Sequence, residues 1–299
     1  MSITRLGLVG GLVNMGITNV IGGASLVTTG NVFYVSSTAG SNGNSGKDPR
    51  FPFATIGQAR LAATANNGDI VAIMPGHTET VVAAAGIALS KAGVSYIGLG
   101  VGTQRPTITY TTAVSASVDV TAANVLVQNV VFTCAIDNQT AMINVNAADA
   151  TFLNVEMNTN SGTIGAAKGI LTAATATRLV VDSSRFLGPA VNAGTTTTAQ
   201  ISHEVGVDYV IRDSYFAGKM TQAITNAATV LGGQIHNNQF VVYTGTKAVN
   251  MAAASTPFIT NNRINVPSGT APIVAAAGFV AGNVYSAAAG VTAGVASTI

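Results

Sequence analysis

From about residue 118 to residue 285 the chain repeats one pattern of apolar and polar positions. Each repeat holds a short apolar strand, a small polar corner, a second strand and a large apolar anchor residue. The anchors are Phe132, Met157, Phe186, Phe216, Phe240, Ile264 and Tyr285. Successive anchors lie 25, 29, 30, 24, 24 and 21 residues apart, which is the length of one solenoid coil. The spacing therefore predicts a stack of coils.

Two further columns keep the same register. The residue five positions before each anchor is large and apolar: Val127, Phe152, Val181, Ile211, Ile235, Ile259 and Val280. The residue three positions before is a small or polar turn former: Asn129, Asn154, Ser183, Asp213, Asn237, Asn261 and Gly282. Such residues tolerate a left-handed corner. Coils stacked about 4.8 Å apart would turn these columns into the ladders of parallel sheets.

The register also predicts which side chains meet on adjacent coils. Asn238, Asn262 and Asn283 lie two positions before their anchors, and we expect their amides to form a hydrogen-bonded ladder. On the outside, Glu156 should lie beside Arg185, and Asp182 beside Arg212. Exposed ion pairs of this kind contribute less than about 1 kcal/mol, so we interpret them as surface pairs.

Residues 33–82 follow a different pattern. The sequence FYVSSTAGSNGNSGKDPRFPFATIGQARLAATANNGDIVAIMPGHTETV resembles the amino-terminal segment of pectate-lyase-like right-handed β-helix proteins. With the coils behind it, the resemblance covers about residues 33–285. It implies an all-β, right-handed parallel β-helix with a short amino-terminal helix, over residues 55–65, that caps the open end. That superfamily includes lyases, hydrolases, adhesins and phage structural proteins, so the resemblance implies no single function.

We expect four parts in the chain. Residues 1–30 form an amino-terminal anchoring arm, and residues 31–93 form the leading and cap segment of the β-helix. Residues 94–285 form the coils, beginning with an early coil over residues 94–110. Residues 286–299 form a small, apolar tail that covers the last coil.

Composition narrows the function. Only 8% of the residues are charged, the net charge is +2, and Cys134 is the one cysteine. These values exclude an intramolecular disulfide and indicate no nucleic-acid partner. Apolar residues are interleaved with Gly, Asn, Ser and Thr, so we expect no membrane-spanning helix. We interpret Cys134 as a small buried side chain.

Candidate chemistry is sparse. The chain has eleven acidic residues, of which three are glutamates, and no Asp-x-Asp motif. His203 and Glu204 are neighbours in sequence, but alternation along a strand would point them to opposite faces. The loop 41–48 has too few acidic oxygens for Ca²⁺. We therefore predict no catalytic, cofactor-binding or metal-binding residues, no cofactor, and a protein that is not an enzyme.

Low charge favours a surface that is covered by neighbouring proteins, because soluble monomers rarely expose large apolar patches. We predict a non-enzymatic structural protein of a phage virion, made in the host cytoplasm, most consistent with a capsid-associated decoration or cement protein. We expect a homo-oligomer, with a trimer favoured, that contacts other virion proteins through residues 1–30 and the β-helix walls.

Two alternatives stay open. One is a tail spike or fibre that binds or cleaves host surface glycans in a groove around Tyr209, Tyr215 and Glu204. The other is a bacterial surface adhesin.

Overall fold

A computed structural model describes residues 17–21, 24–158, 165–190, 196–204, 206–226, 228–244, 247–252, 254–267, 272–287 and 294–296. Within these ranges the chain is almost entirely β-structure, with one α-helix, α1 (Ile56–Ala62), and one 3-10 turn, Gly102–Gln104. Of the predicted arm, residues 1–16, 22 and 23 lie outside the described residues. So do residues 288–293 and 297–299 of the predicted tail.

Three long sheets run the length of the molecule. The first sheet contains β3 (Val32–Val35), β4 (Ile70–Ile73), β7 (Ser95–Gly98), β10 (Leu126–Gln128), β13 (Thr151–Leu153), β16 (Leu179–Asp182), β20 (Tyr209–Arg212), β23 (Val230–His236), β26 (Thr256–Thr260) and β29 (Phe279–Ala281), with β19 (Gly206–Val207) beside β23. The second sheet contains β5 (Thr78–Val81), β8 (Thr107–Tyr110), β11 (Val131–Cys134), β14 (Glu156–Asn158), β17 (Arg185–Leu187), β21 (Tyr215–Gly218), β24 (Gln239–Val242), β27 (Arg263–Val266), β30 (Asn283–Ala287) and β31 (Gly294–Ala296).

The third sheet contains β6 (Ile87–Leu89), β9 (Val118–Val120), β12 (Ile143–Val145), β15 (Lys168–Thr172), β18 (Thr197–His203), β22 (Met220–Asn226), β25 (Val249–Asn250) and β28 (Ile273–Val274). A separate antiparallel pair joins β1 (Ile17–Ile21) to β2 (Ala24–Val27). Each coil gives one strand to each long sheet, so β4 to β28 form eight coils, and β29 and β30 begin a ninth. The predicted parallel β-helix is confirmed.

The predicted apolar columns are the ladders of the core. The column that begins at Val127 pairs in register along the first sheet as far as Val280. In the second sheet the anchor rings of Phe186 and Phe216 stack at 4.6 Å and 7°, and those of Phe216 and Phe240 at 4.9 Å and 17°. Inward side chains therefore pack against their equivalents on the next coil.

The corner between the first and second sheets follows the predicted column of turn formers. All seven of its residues, from Asn129 to Gly282, have a φ between 51° and 65°. Inside this corner the predicted amide ladder is present. Asn238 Nδ2 donates to Asn262 Oδ1 at 3.1 Å, and Asn262 Nδ2 donates to Asn283 Oδ1 at 2.9 Å. The buried amides thus find hydrogen-bond partners on the adjacent coil.

A second left-handed column, which the sequence analysis did not identify, lies where the chain enters the strands of the first sheet. Its residues are Gly93, Asn124, Asp149, Arg178 and Asp208, which precede a strand by one or two positions, and Gly232, which lies within β23 at the aligned position. Arg178 is unusual there, with a φ of 55°, because long side chains rarely adopt this conformation. Its guanidinium holds Asp149 through two hydrogen bonds of 2.6 Å, from Nε and from Nη2.

Helix α1 covers the amino-terminal end of the core, as predicted. Thr55 is its N-cap and accepts from the Gln58 N–H at 3.2 Å, and Ile56 is buried in the core. The Glu79 carboxylate of β5 accepts from the Ile56 N–H at 2.9 Å, which satisfies another free donor of the helix terminus. The cap is therefore fixed to the first coil.

Candidate functional site

A row of polar side chains crosses the outer face of the second sheet. Strand alternation points the residue before each buried anchor outward, and the parallel pairings align these residues coil by coil. In order, the row consists of Glu156, Arg185, Tyr215, Gln239 and Arg263. Arg105, from the turn before β8, joins it at the Glu156 end. We call these six residues the outer row.

Glu156 is shared by two arginines. Its Oε2 atom lies 3.4 Å from Arg105 Nη1 and 3.3 Å from Arg185 Nη1. Arg105 is also held by a 2.7 Å hydrogen bond from its Nη2 to the Asn154 carbonyl. Burial lowers the pKa of the Arg105 guanidinium, and Glu156 partly offsets this. The predicted pairing of Glu156 with Arg185 is confirmed, and two cations beside one carboxylate leave a net positive charge.

The other end of the outer row is open to solvent. A depression of about 180 Å³ lies on this face, lined by Gln239, Val241, Arg263, Asn265 and Val284 among others. Within the described parts of the chain, the Arg263 guanidinium makes no ion pair. Guanidinium, amide and phenol groups therefore face solvent on successive coils.

The second predicted ion pair lies at the corner beside the row. Arg212 Nη2 lies 2.7 Å from Asp182 Oδ2, and Arg212 Nε donates to the same oxygen at 2.8 Å. This pairing is also confirmed. Asp213 Oδ2 lies 4.0 Å from Arg212 Nε, so two carboxylates share one guanidinium at this corner.

The groove proposed around Tyr209, Tyr215 and Glu204 is not formed. Tyr209 is buried, and its hydroxyl contacts Met251 Sδ at 3.3 Å inside the solenoid. Glu204 follows β18 of the third sheet and pairs with Lys168 at 3.9 Å. Tyr215 alone belongs to the outer row. The expectation failed because Tyr209 occupies an inward position of β20, whereas Tyr215 is outward on β21.

His203 and Glu204 do not form a dyad, as strand alternation predicted. His203 is buried, with Nδ1 at 2.9 Å from Thr172 Oγ1, whereas Glu204 is exposed. Burial lowers the pKa of His203 to about 4. The imidazole is therefore neutral in the interior, where it is part of the packing.

Cys134 is buried, as predicted, and its thiol donates to the Ile136 carbonyl at 3.0 Å. Burial raises the pKa of this thiol, which disfavours the reactive thiolate. In the part of the chain that the structure describes, no three His, Cys, Asp or Glu side chains are grouped as a metal site would require. The same part contains no helix with the length and apolar character needed to cross a membrane.

Arg105 is the member of the outer row that the sequence analysis missed. It lies 51 residues before Glu156 and occupies no position at a fixed offset from an anchor. Its place depends on the 3-10 turn that precedes it, so the repeat carried no signal for it.

Comparison with solved structures finds proteins of similar fold. A rhamnogalacturonan lyase is similar over 85% of this chain and 87% of its own, with 14% identity and a TM-score of 0.46. A GH136 lacto-N-biosidase from Eubacterium ramulus is similar over 86% of this chain and 67% of its own, with 10% identity and a TM-score of 0.31. At these identities the likeness concerns the fold alone. No family model matches the chain, and no curated protein matches it significantly.

The prediction that the chain is not an enzyme is contradicted by this comparison, because the solved structures named above are a lyase and a biosidase. The likeness concerns the fold, so it assigns no activity to this chain. The prediction treated the scarcity of carboxylates as decisive. That criterion took no account of the outer row, where one carboxylate, that of Glu156, lies among guanidinium, phenol and amide groups.

Proposed function

We propose that the chain binds an anionic glycan along the outer row of the second sheet. The observation that carries this proposal is the in-register alignment of Arg185, Tyr215, Gln239 and Arg263 on one outward face. Successive rungs lie about 4.8 Å apart, a distance close to the advance of one sugar in an extended chain. A glycan lying across the coils therefore meets one of these side chains at each sugar.

The charge of the row favours an anionic ligand. The row contains three arginines and one carboxylate, that of Glu156, which Arg105 and Arg185 share. Arg263 lies at the opposite end of the row. Guanidinium groups bind carboxylate and sulfate through paired, charge-assisted hydrogen bonds. Glu156 keeps the first two arginines in place, and Arg263 is available to the ligand. The phenol of Tyr215 offers an aromatic face and a hydroxyl between these charges.

Replacement of the arginines tests the proposal. We expect Arg185→Ala and Arg263→Ala each to weaken binding of an α-1,4-linked galacturonate tetrasaccharide, measured by calorimetry, by about tenfold or more. The reason is that one hydrogen bond to a charged group contributes about 1.5–3 kcal/mol. Arg50→Ala is the matched control, because Arg50 is an exposed arginine of the leading segment paired with Asp48. Unchanged affinity in both row variants would refute the proposal.

A second candidate function is cleavage of the bound glycan, and Tyr215 favours it. Its hydroxyl stands on the rung between Arg185 and Gln239. There it can give its proton to the glycosidic oxygen of the departing sugar, while a water molecule adds to the anomeric carbon and returns a proton to the phenolate, so that the bond is hydrolysed. If so, Tyr215→Phe should stop the release of shorter chains, measured by chromatography, and keep most of the affinity. Equal product release by wild type and variant would rule out this role.

Glycan binding is the function given above for a tail spike or fibre. A virion location, a trimer, and docking through residues 1–30 and the β-helix walls stay predictions. Phage particles probed with an antibody against the chain would test the location, and sedimentation of the purified chain would test the oligomer.

A further inference from the structure

Two phenylalanine rings lie exposed and adjacent on the outer face of the first sheet, near its carboxy-terminal end. Phe258 of β26 is 54% exposed and Phe279 of β29 is 51% exposed. The two residues are paired in register, with ring centroids 5.9 Å apart and planes inclined at 47°. A Cβ atom on Gly278 would lie 2.8 Å from the Pro257 carbonyl oxygen. Glycine therefore lets β29 approach β26 closely enough to place one ring beside the other.

These rings are not required by the repeat. The same outward position on earlier coils holds Leu126, Thr151, Val180, Val210 and Gln234. An outward ring that is half exposed adds little to the core, and it leaves apolar surface in water. Aromatic residues at two successive rungs thus indicate a contact made outside the solenoid.

The size of the surface favours a sugar over a protein partner. Two half-exposed rings offer roughly 200 Å² of aromatic surface, a quarter of the about 800 Å² per partner that a stable protein interface buries. Gln234, which is exposed, and Thr260 flank the rings with an amide and a hydroxyl. The C–H face of a pyranose carries partial positive charge and packs on the negative face of an aromatic ring.

The rings lie on the same coils as the open end of the outer row. Along the chain, Phe258 is followed by Thr260, by the exposed corner residue Asn261, and then by Arg263 of the row. One sharp corner thus separates the aromatic pair from the guanidinium group. A branched or bent glycan held by Arg263 has its next sugars within reach of the two rings.

We propose that Phe258 and Phe279 form a stacking platform for the apolar faces of pyranose rings. The platform gives the protein a second carbohydrate contact, one that depends on sugar shape and not on charge. This inference rests on the proposed glycan-binding function and extends it to sugars without an acidic group. Because stacking involves no net charge, its contribution persists in about 1 M NaCl, where the screening length falls to about 3 Å.

The test uses the full chain and two tetrasaccharide probes, neutral β-1,4-linked glucose and α-1,4-linked galacturonate. Calorimetry is run at low salt and in about 1 M NaCl, on the double variant Phe258→Ala/Phe279→Ala. We expect its affinity for the neutral probe to fall tenfold or more, by the same factor at both salt concentrations. Its affinity for galacturonate should stay near that of the wild type, because four sugars match the four rungs from Arg185 to Arg263. Phe51→Ala is the matched control, because Phe51 is also exposed, at 56%, and lies in the leading segment. Thermal melting checks that each variant is folded.

Each result decides a different claim. A phenylalanine double variant that binds the neutral probe like the wild type overturns the platform. If, in addition, Arg185→Ala/Arg263→Ala loses galacturonate binding, the proposed function stands without the platform. If the arginine variant keeps its affinity for galacturonate and the phenylalanine variant loses its affinity for the neutral probe, the platform stands and the outer row fails. A wild type that binds neither probe overturns both.

Discussion

His203 shows how a single side chain of the interior affects the response of the whole chain to acid. The imidazole is 2% exposed, and burial holds its pKa at about 4, against an ordinary value of 6.5. The unfolded chain therefore takes up a proton as the pH falls below about 6.5, and the folded chain does so only near 4. Over that window the unfolded state binds more protons, so stability decreases as the pH decreases.

We expect His203→Gln to reduce the pH dependence of folding. Between pH 7 and pH 5 the wild type should lose about 2 kcal/mol of unfolding free energy through this residue. In the variant, the loss of unfolding free energy between pH 7 and pH 5 should be smaller by this amount, whatever its stability at pH 7. Urea unfolding at both pH values measures the difference, and an identical loss in both proteins would contradict the assignment of the low pKa.

At the scale of elements, the strands of a sheet can be predicted from the sequence when the connections that precede them have a constant length. Anchors and corner residues keep fixed offsets because β-strands of the first and second sheets are joined by a single tight corner with a left-handed residue. The third sheet follows loops of varying length and contains irregular pairings. The N–H groups of Thr198 and Ala199 both donate to the Ala167 carbonyl, and those of Ala223 and Ile224 to that of Ala248. No fixed offset from the anchors therefore predicts its residues.

The amide ladder is the element whose loss should be most costly outside the apolar core. Asn262 is fully buried, donates to the Ile235 carbonyl at 3.0 Å, and accepts from the Asn238 N–H at 2.9 Å. We expect Asn262→Ala to lower the unfolding free energy by about 3 kcal/mol, because several buried groups lose their partners. Denaturant titration measures this loss.

A double-mutant cycle separates the ladder from simple side-chain removal. Asn238 and Asn262 share a hydrogen bond, so Asn238→Ala and Asn262→Ala should be non-additive by at least about 0.5 kcal/mol. Additive losses would mean that the two amides do not act as a ladder.

At the scale of the whole molecule, the described coils fill their interior with side chains, so the sites that we propose lie on the outer walls. The walls differ from one another. The second sheet carries the outer row, and the first sheet carries the two exposed rings at one end. The sequence repeat predicted the fold, the ion pairs and the amide ladder. It did not predict the candidate site, for two reasons. Arg105 comes from a turn outside the repeat, and the repeat constrains the inward apolar positions but not the chemical type of the outward side chains.

A crystal structure of the chain with the galacturonate tetrasaccharide bound tests glycan binding by the outer row most directly. We predict a glycan lying across the coils of the second sheet, with sugar carboxylates on Arg185 or Arg263 and a ring near Tyr215. A tetrasaccharide bound to another wall, or an empty outer row at a concentration that saturates binding in solution, would contradict it.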